Sequence, residues 1–143
     1  MDHEQGAENL SERFDYSEKP WYLDEISLTL THPDLDPDRI TDLIGVPPSR
    51  FARPGTAIQT TEGVWTVDFR CRAELDDELI DILKKIQEYS PRIDQLISFG
   101  VKAQISIYGV VRDGSTLRFS NQSLEKLAAI KIPVVLILNA NDR

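Results

Sequence analysis

The sequence predicts an α+β fold, a two-layer ferredoxin-like sandwich with a sheet of four to five strands and helices mainly on one face. Stretches with apolar residues at alternate positions follow stretches with apolar residues at helical spacing. The 143 residues, 41% hydrophobic, suit one domain with its own core. A strand followed by a capped helix occurs twice, which favours the ferredoxin-like arrangement, although generic patterning can also produce two such short stretches.

Two parts of the chain differ in composition. Residues 1–20 carry six acidic residues against two basic ones and few apolar residues, so we expect a disordered acidic tail. We expect residues 21–143 to form a single α+β domain. The start lacks a signal-peptide pattern, no apolar run is long enough for a bilayer, and Cys71 is the one cysteine. We therefore expect a cytoplasmic protein.

The first elements are a strand around residues 26–31 and a short helix. Asp36-Pro37 predicts the N-cap and first position of this helix, and Gly45, followed by two prolines, predicts its end. A short extended piece is expected near Phe51. A second strand is predicted over residues 65–71, where Trp65, Val67, Phe69 and Cys71 alternate with polar residues.

The longest helix is predicted over residues 75–89, and Ser90-Pro91 is expected to begin a separate short helix that ends at Gly100. A third strand follows over residues 101–107. Asp113-Gly114 predicts a hairpin turn that leads to a short strand near residues 116–119.

Ser120 or Asn121 is expected to cap the last helix. The continuous apolar run 133–138 predicts a central strand that is buried on both sides. The expected core comprises Ile26, Leu28, Leu30, Leu43, Trp65, Val67, Phe69, Leu79, Leu83, Ile86, Ile105, Ile107, Leu127, Val135 and Ile137.

No pattern of catalytic, metal-binding or phosphate-binding residues is present in the sequence. His32 follows a strand and is interpreted as a solvated loop residue, and Cys71 is interpreted as a small buried hydrophobe. Asp34, Asp36 and Asp38 have the spacing that opens a calcium loop, but the glycine and glutamate that complete such a loop are missing. We expect no enzyme activity, no cofactor and no metal.

The net charge of −8 disfavours nucleic-acid binding and is compatible with a basic protein partner, although it also serves solubility alone. The densest acidic stretch opens the longest predicted helix, where acids also complement the helix dipole. Its residues are the predicted partner-binding face: Glu74, Asp76, Asp77, Glu78 and Asp81.

A pocket for an anionic ligand is the alternative site. Arg53, Trp65 and Arg70 lie close in sequence and are the residues expected to line it. The competing interpretation is that Arg50 and its neighbouring arginines pair across strands with acids such as Asp68.

The chain resembles a family of small, mainly bacterial domains of unknown function. In that family a capped helix ends in Leu-Gly-x-x-Pro, and a basic residue with glycine and then Gly-x-Trp follow. The matching stretches here, over residues 21–139, are Asp38–Pro47, Arg53-Pro54-Gly55, Gly63-Val64-Trp65 and Ser123–Leu127, with Ile44 where leucine is common. The resemblance implies the fold and brings no catalytic residues.

These observations predict a non-enzymatic protein-binding module without affinity for nucleic acid or membranes. Most concretely, we expect an immunity protein that neutralises a bacterial toxin by direct binding, since small acidic bacterial domains often have that role. The alternative is a sensor or regulatory domain that binds an anionic metabolite.

Overall fold

The computed structural model describes residues 22–56, 61–71, 75–111 and 118–140. The expected tail at 1–20 and the Asp113-Gly114 hairpin lie outside these residues. In chain order the elements are β1 (Tyr22–His32), α1 (Pro37–Ile44), β2 (Arg50–Ala52), β3 (Gly63–Arg70), α2 (Leu75–Ser98), β4 (Lys102–Val111), α3 (Asn121–Ile130) and β5 (Val134–Ala140).

The sheet has the strand order β2-β3-β1-β4-β5. β1 lies at its centre and pairs antiparallel with both β3 and β4, so that Leu28 faces Val67 on one side and Ile105 on the other. β5 joins the edge of β4 in parallel, as a crossover through α3 requires. The order and directions of β1 to β4 are compatible with the expected ferredoxin-like arrangement, and the α+β fold is confirmed.

The alternation along β1 separates the two faces of the sheet. Ile26, Leu28 and Leu30 are fully buried on the face that the helices cover, whereas Ser27, which is also buried, and Thr29 lie on the opposite face. We call this opposite face the open face, because no helix of the described residues covers it. The core joins the inner face of the sheet to buried residues of the helices, among them Ile40, Ile44, Leu79, Leu83, Ile86, Ile93 and Leu96.

The predicted helix caps are confirmed. The Asp36 carboxylate accepts a hydrogen bond from the Asp38 N–H at the start of α1, and Gly45 ends the helix in the left-handed conformation at φ 91°. Ser120 caps α3 by accepting from the Ser123 N–H at 3.1 Å. Such caps satisfy backbone groups that have no partner inside the helix, so they fix where each helix begins.

The predicted break at Ser90-Pro91 is wrong. α2 continues through Pro91 to Ser98. Its buried stripe continues past the proline, from Ile86 through the half-buried Tyr89 to Ile93 and Leu96, and this packing outweighs the one backbone hydrogen bond that proline removes. Neither α2 nor any other helix in the described part of the chain combines the length and apolar character needed to cross a bilayer.

The interpretation of residues 133–138 as a central, buried strand is also wrong. β5 pairs only with β4 among the described strands, and Val135, Leu136 and Leu138 are 37%, 43% and 51% exposed. Val135 and Ile137 therefore do not belong to the core. The described residues at the end of the predicted strand near 116–119, Arg118 and Phe119, are not in a strand.

Candidate functional site

A cleft of about 650 Å³ lies between α1 and the end of α2. We call it the acidic cleft. Its walls come from the β1–α1 loop, from one side of α1 and from the α2–β4 turn. The lining residues are His32, Asp34, Leu35, Asp36, Arg39, Ile40, Asp42, Leu43, Gln95, Leu96, Phe99 and Val101.

An exposed aromatic ring stands at the edge of this cleft. Phe99 is 73% exposed, while the apolar residues below it, such as Leu35, Ile40 and Leu96, are buried. The position of Phe99 is fixed by the end of α2, where its N–H donates to the Leu96 carbonyl at 3.0 Å. Gly100, at φ 92°, then turns the chain into β4. An aromatic side chain held in water by an ordered turn is typical of a binding anchor.

Negative charge predominates around the cleft, because three aspartates and one arginine line it. Asp36 caps α1 and lies 3.5 Å from Arg53 Nη1. Asp34 and Asp42 are exposed, and neither forms an ion pair with another described residue. Two carboxylates are therefore available to a cationic group that enters the cleft.

His32 lies half-buried at the junction of β1 with the loop. Its Nδ1 accepts a hydrogen bond of 3.0 Å from the Asp34 N–H, so the neutral ring carries its proton on Nε2. The ring lies near Gly100, where an added Cβ would lie 3.6 Å from Nε2. His32 thus offers a donor at Nε2 close to the turn that carries Phe99.

The predicted partner-binding face at the start of α2 is only partly described. Glu74 and the side chain of Asp76 lie outside the described residues, and Asp77 and Asp81 are exposed one turn apart. Glu78 is half-buried and bonds to the Cys71 thiol. Burial first, and the Glu78 carboxylate second, raise the pKa of Cys71 to about 12, so the thiol stays protonated at neutral pH.

The predicted anion pocket is not formed. Trp65 is fully buried on the inner face of β3 and donates its indole N–H to Thr41 of α1. Arg70, an odd number of residues further along the same strand, lies on the open face. Arg53 pairs with Asp38 at 2.9 Å, and with Asp36. The three residues therefore do not line one cleft.

The competing interpretation, cross-strand pairing, is confirmed for Arg50. Its guanidinium donates two hydrogen bonds to Asp68, at 3.0 and 3.1 Å, and Ser27 Oγ donates a third to the same carboxylate at 2.6 Å. Burial opposes ionisation of Asp68, but these hydrogen bonds outweigh it and lower the pKa of the carboxyl. Neighbouring Glu25 has a raised pKa, mainly because of burial and then because of the Asp68 charge.

Two of the three aspartates with calcium-like spacing form ion pairs with an arginine. Asp36 and Asp38 pair with Arg53, and the Asp34 N–H binds His32. No cluster of three or more histidine, cysteine, aspartate or glutamate side chains suited to a metal occurs in the described ranges.

Sequence reasoning missed the acidic cleft. Phe99 and Asp42 were not singled out as site residues, and His32 was interpreted as a solvated loop residue. The one signal in the sequence was a phenylalanine directly before the glycine that ends α2. Its exposure depends on the packing of α1 against α2, which local patterns do not encode.

A family model described as "Domain of unknown function (DUF4279)" matches residues 20–141. This match agrees with the resemblance that the turn and strand motifs indicated. No curated protein and no solved structure matches the chain.

Proposed function

The chain belongs to the DUF4279 family, and from that premise we propose that it is a non-enzymatic binding module for a basic protein. Most concretely, it is an immunity protein that neutralises a toxin by direct binding. The observation that carries the proposal is Phe99, 73% exposed at the edge of the acidic cleft.

The cleft combines the two features that protein interfaces use. Phe99 and the buried apolar floor offer an anchor and a pocket, the arrangement that concentrates binding energy at the centre of an interface. Asp34 and Asp42 offer unpaired negative charge at the rim. A partner segment that presents lysine or arginine next to an apolar side chain fits both features.

The negative charge of the chain supports the proposal that its partner is a toxin that acts on nucleic acid. Such an enzyme needs a basic surface for phosphates, and a protein of net charge −8 is attracted to that surface from a distance. Blocking the basic surface would prevent the toxin from reaching its substrate. The anionic-metabolite alternative rested on Arg53, Trp65 and Arg70, and their separation in the fold removes its support.

A photo-crosslinking amino acid at position 99 tests the proposal in the source cell. Mass spectrometry should identify one basic partner, encoded beside the gene of this chain. Purified partner and purified chain should form a 1:1 complex in which the toxic activity is lost.

Two variants test the cleft in that complex. Phe99→Ala and Asp42→Lys should each weaken binding about tenfold or more, the loss expected at an anchor position. Asp77→Lys tests the competing face at the start of α2 that the sequence predicted, because Asp77 is an exposed aspartate on α2 away from the cleft. If no stoichiometric partner is crosslinked, or if Phe99→Ala and Asp42→Lys bind as tightly as the wild type, the proposal is wrong. If Asp77→Lys alone weakens binding, the start of α2 is the interface instead.

A further inference from the structure

A second cleft, of about 610 Å³, lies where β1 ends and β4 and β5 begin. We call it the lysine cleft, after Lys102 and Lys131. Thr31 and Gln104 contribute neutral polar groups to it, and Ile97 and Pro133 contribute apolar surface. The backbone here is ordered by the sheet, since the Ile105 N–H donates to the Pro133 carbonyl at 2.9 Å.

The charge of the lysine cleft is opposite to that of the chain. Acidic residues outnumber basic ones by 24 to 16 in the sequence, but none of the described residues that line this cleft is acidic. Lys102 and Lys131 are exposed, and neither forms an ion pair with another described residue. The cleft is therefore a local concentration of positive charge that the protein itself does not neutralise.

Lys131 adopts a backbone conformation that disfavours lysine. Its φ of 60° lies in the left-handed region, where the other described residues are Gly45, Gly55 and Gly100. Glycine at the end of α3 would avoid the steric cost of a Cβ in this conformation. A residue kept in a strained conformation suggests that its side chain has a use. For Lys131, that side chain is one of the two cations of the cleft.

We propose that the lysine cleft binds a small organic oxyanion, a phosphate or carboxylate group carried on an apolar body. Lys102 and Lys131 pair with the charge, and Thr31 and Gln104 donate hydrogen bonds to its oxygens. The apolar body packs against Ile97 and Pro133. The lysine cleft shares Val101 with the acidic cleft but none of its charged residues, and the proposal does not depend on a protein partner.

Titration of the full chain with phenyl phosphate, benzoate and inorganic phosphate tests the proposal. Amide chemical shifts of Lys102, Gln104 and Lys131 should change saturably with phenyl phosphate or benzoate. Tighter binding of phenyl phosphate assigns a phosphate ligand, and tighter binding of benzoate assigns a carboxylate ligand. Inorganic phosphate should bind more weakly than phenyl phosphate, and equal affinity would refute the role of the apolar surface.

The variant Lys131→Gly separates binding from folding. It should weaken binding about tenfold because one charged partner is lost, and it should raise the melting temperature because glycine relieves the strain at φ 60°. Lys102→Gln should weaken binding without raising the melting temperature. Lys85→Gln, an exposed lysine on α2, is the control and should bind like the wild type. Absence of saturable shifts with all three probes, or unchanged binding by Lys131→Gly, would refute the site.

Discussion

The indole N–H of Trp65 donates a 3.1 Å hydrogen bond to Thr41 Oγ1 and so joins the centre of β3 to α1. The Thr41 hydroxyl in turn donates to the Pro37 carbonyl, 3.0 Å away. Trp65 is fully buried, so its N–H depends on this one acceptor among the described groups. The wall of the acidic cleft that α1 provides is thereby fixed to the sheet.

We expect Thr41→Val to lower the free energy of unfolding by about 1–3 kcal/mol, because a buried N–H would lose its acceptor. Urea denaturation measures this loss. Thr41→Ser keeps the hydroxyl and is the matched control, which should lose clearly less stability. Equal stability of Thr41→Val and wild type would mean that Trp65 finds another acceptor.

Glu25 should make stability depend on pH in an unusual direction for a carboxylate. Its pKa in the folded protein is raised, by burial first and by Asp68 second. The protonated Glu25 side chain therefore contributes to stability, and this contribution is fully present below the pKa that Glu25 has in the unfolded chain. That contribution is lost as the pH rises through the folded pKa. Glu25→Gln should therefore be more stable than wild type at about pH 7, by roughly 0.5 kcal/mol for a partly exposed group, and no more stable at about pH 3.

Asp68→Asn is the opposite case and serves as the control for Glu25→Gln. Because the pKa of Asp68 is lowered in the folded protein, the ionised Asp68 side chain contributes to stability. This contribution is present above the pKa of the unfolded chain and is lost as the pH falls through the pKa of the folded protein. Asp68→Asn should be less stable than wild type at neutral pH and approach it in acid. Thermal melts over a pH series would show both trends, and a loss of stability by Glu25→Gln at neutral pH would contradict the first.

Gly63 is required by a close backbone approach. A Cβ at this position would lie 2.6 Å from the Leu35 carbonyl oxygen and 2.9 Å from the Leu35 Cβ. We expect Gly63→Ala to cost about 2 kcal/mol or more, because backbone atoms must move. Gly45→Ala meets no atom within 4 Å but has φ +91°, and it should cost about 1 kcal/mol. If chemical denaturation shows that the two variants lose the same free energy of unfolding, the β1–α1 loop moves away at Leu35 at little energetic cost.

Pro91 lies exposed inside α2. We expect Pro91→Ala to raise the free energy of unfolding by about 1–2 kcal/mol, since alanine restores a backbone hydrogen bond and the loss of proline rigidity in the unfolded chain offsets only part of the gain. Calorimetry measures the change. A less stable Pro91→Ala variant would contradict this expectation and would indicate that proline at this position supports the packing at the end of α2.

Features that depend on neighbours in the chain were predicted from the sequence, and features that depend on distant contacts were not. The caps at Asp36, Gly45 and Ser120 follow from local backbone chemistry. The continuity of α2 through Pro91 follows from packing on the core, and the edge position of β5 follows from the strand order. An apolar run identifies a strand but carries no information about which strand lies beside it.

The two candidate sites were not predicted from the sequence for the same reason, because each depends on contacts between residues that are distant in the chain. Asp42 lies in α1 and Phe99 lies in the turn after α2, whereas Lys102 begins β4 and Lys131 directly follows α3. Each pair meets only because α1 packs against α2 and β5 lies beside β4. The anion pocket predicted from nearness in sequence failed at Trp65 and Arg70, because odd spacing along a strand places side chains on opposite faces.

The central place of β1, the first described strand, constrains the order of folding. Ile26 must pair with Phe69 on one side and with Ile107 on the other, and long stretches of the chain separate these partners. By contrast, β4, α3 and β5 follow one another in the chain, so a shorter stretch of chain separates the two strands that pair. Folding should therefore be slow for a chain of this size, since long-range contacts limit its rate, with the β4–α3–β5 unit able to form before β1 is inserted.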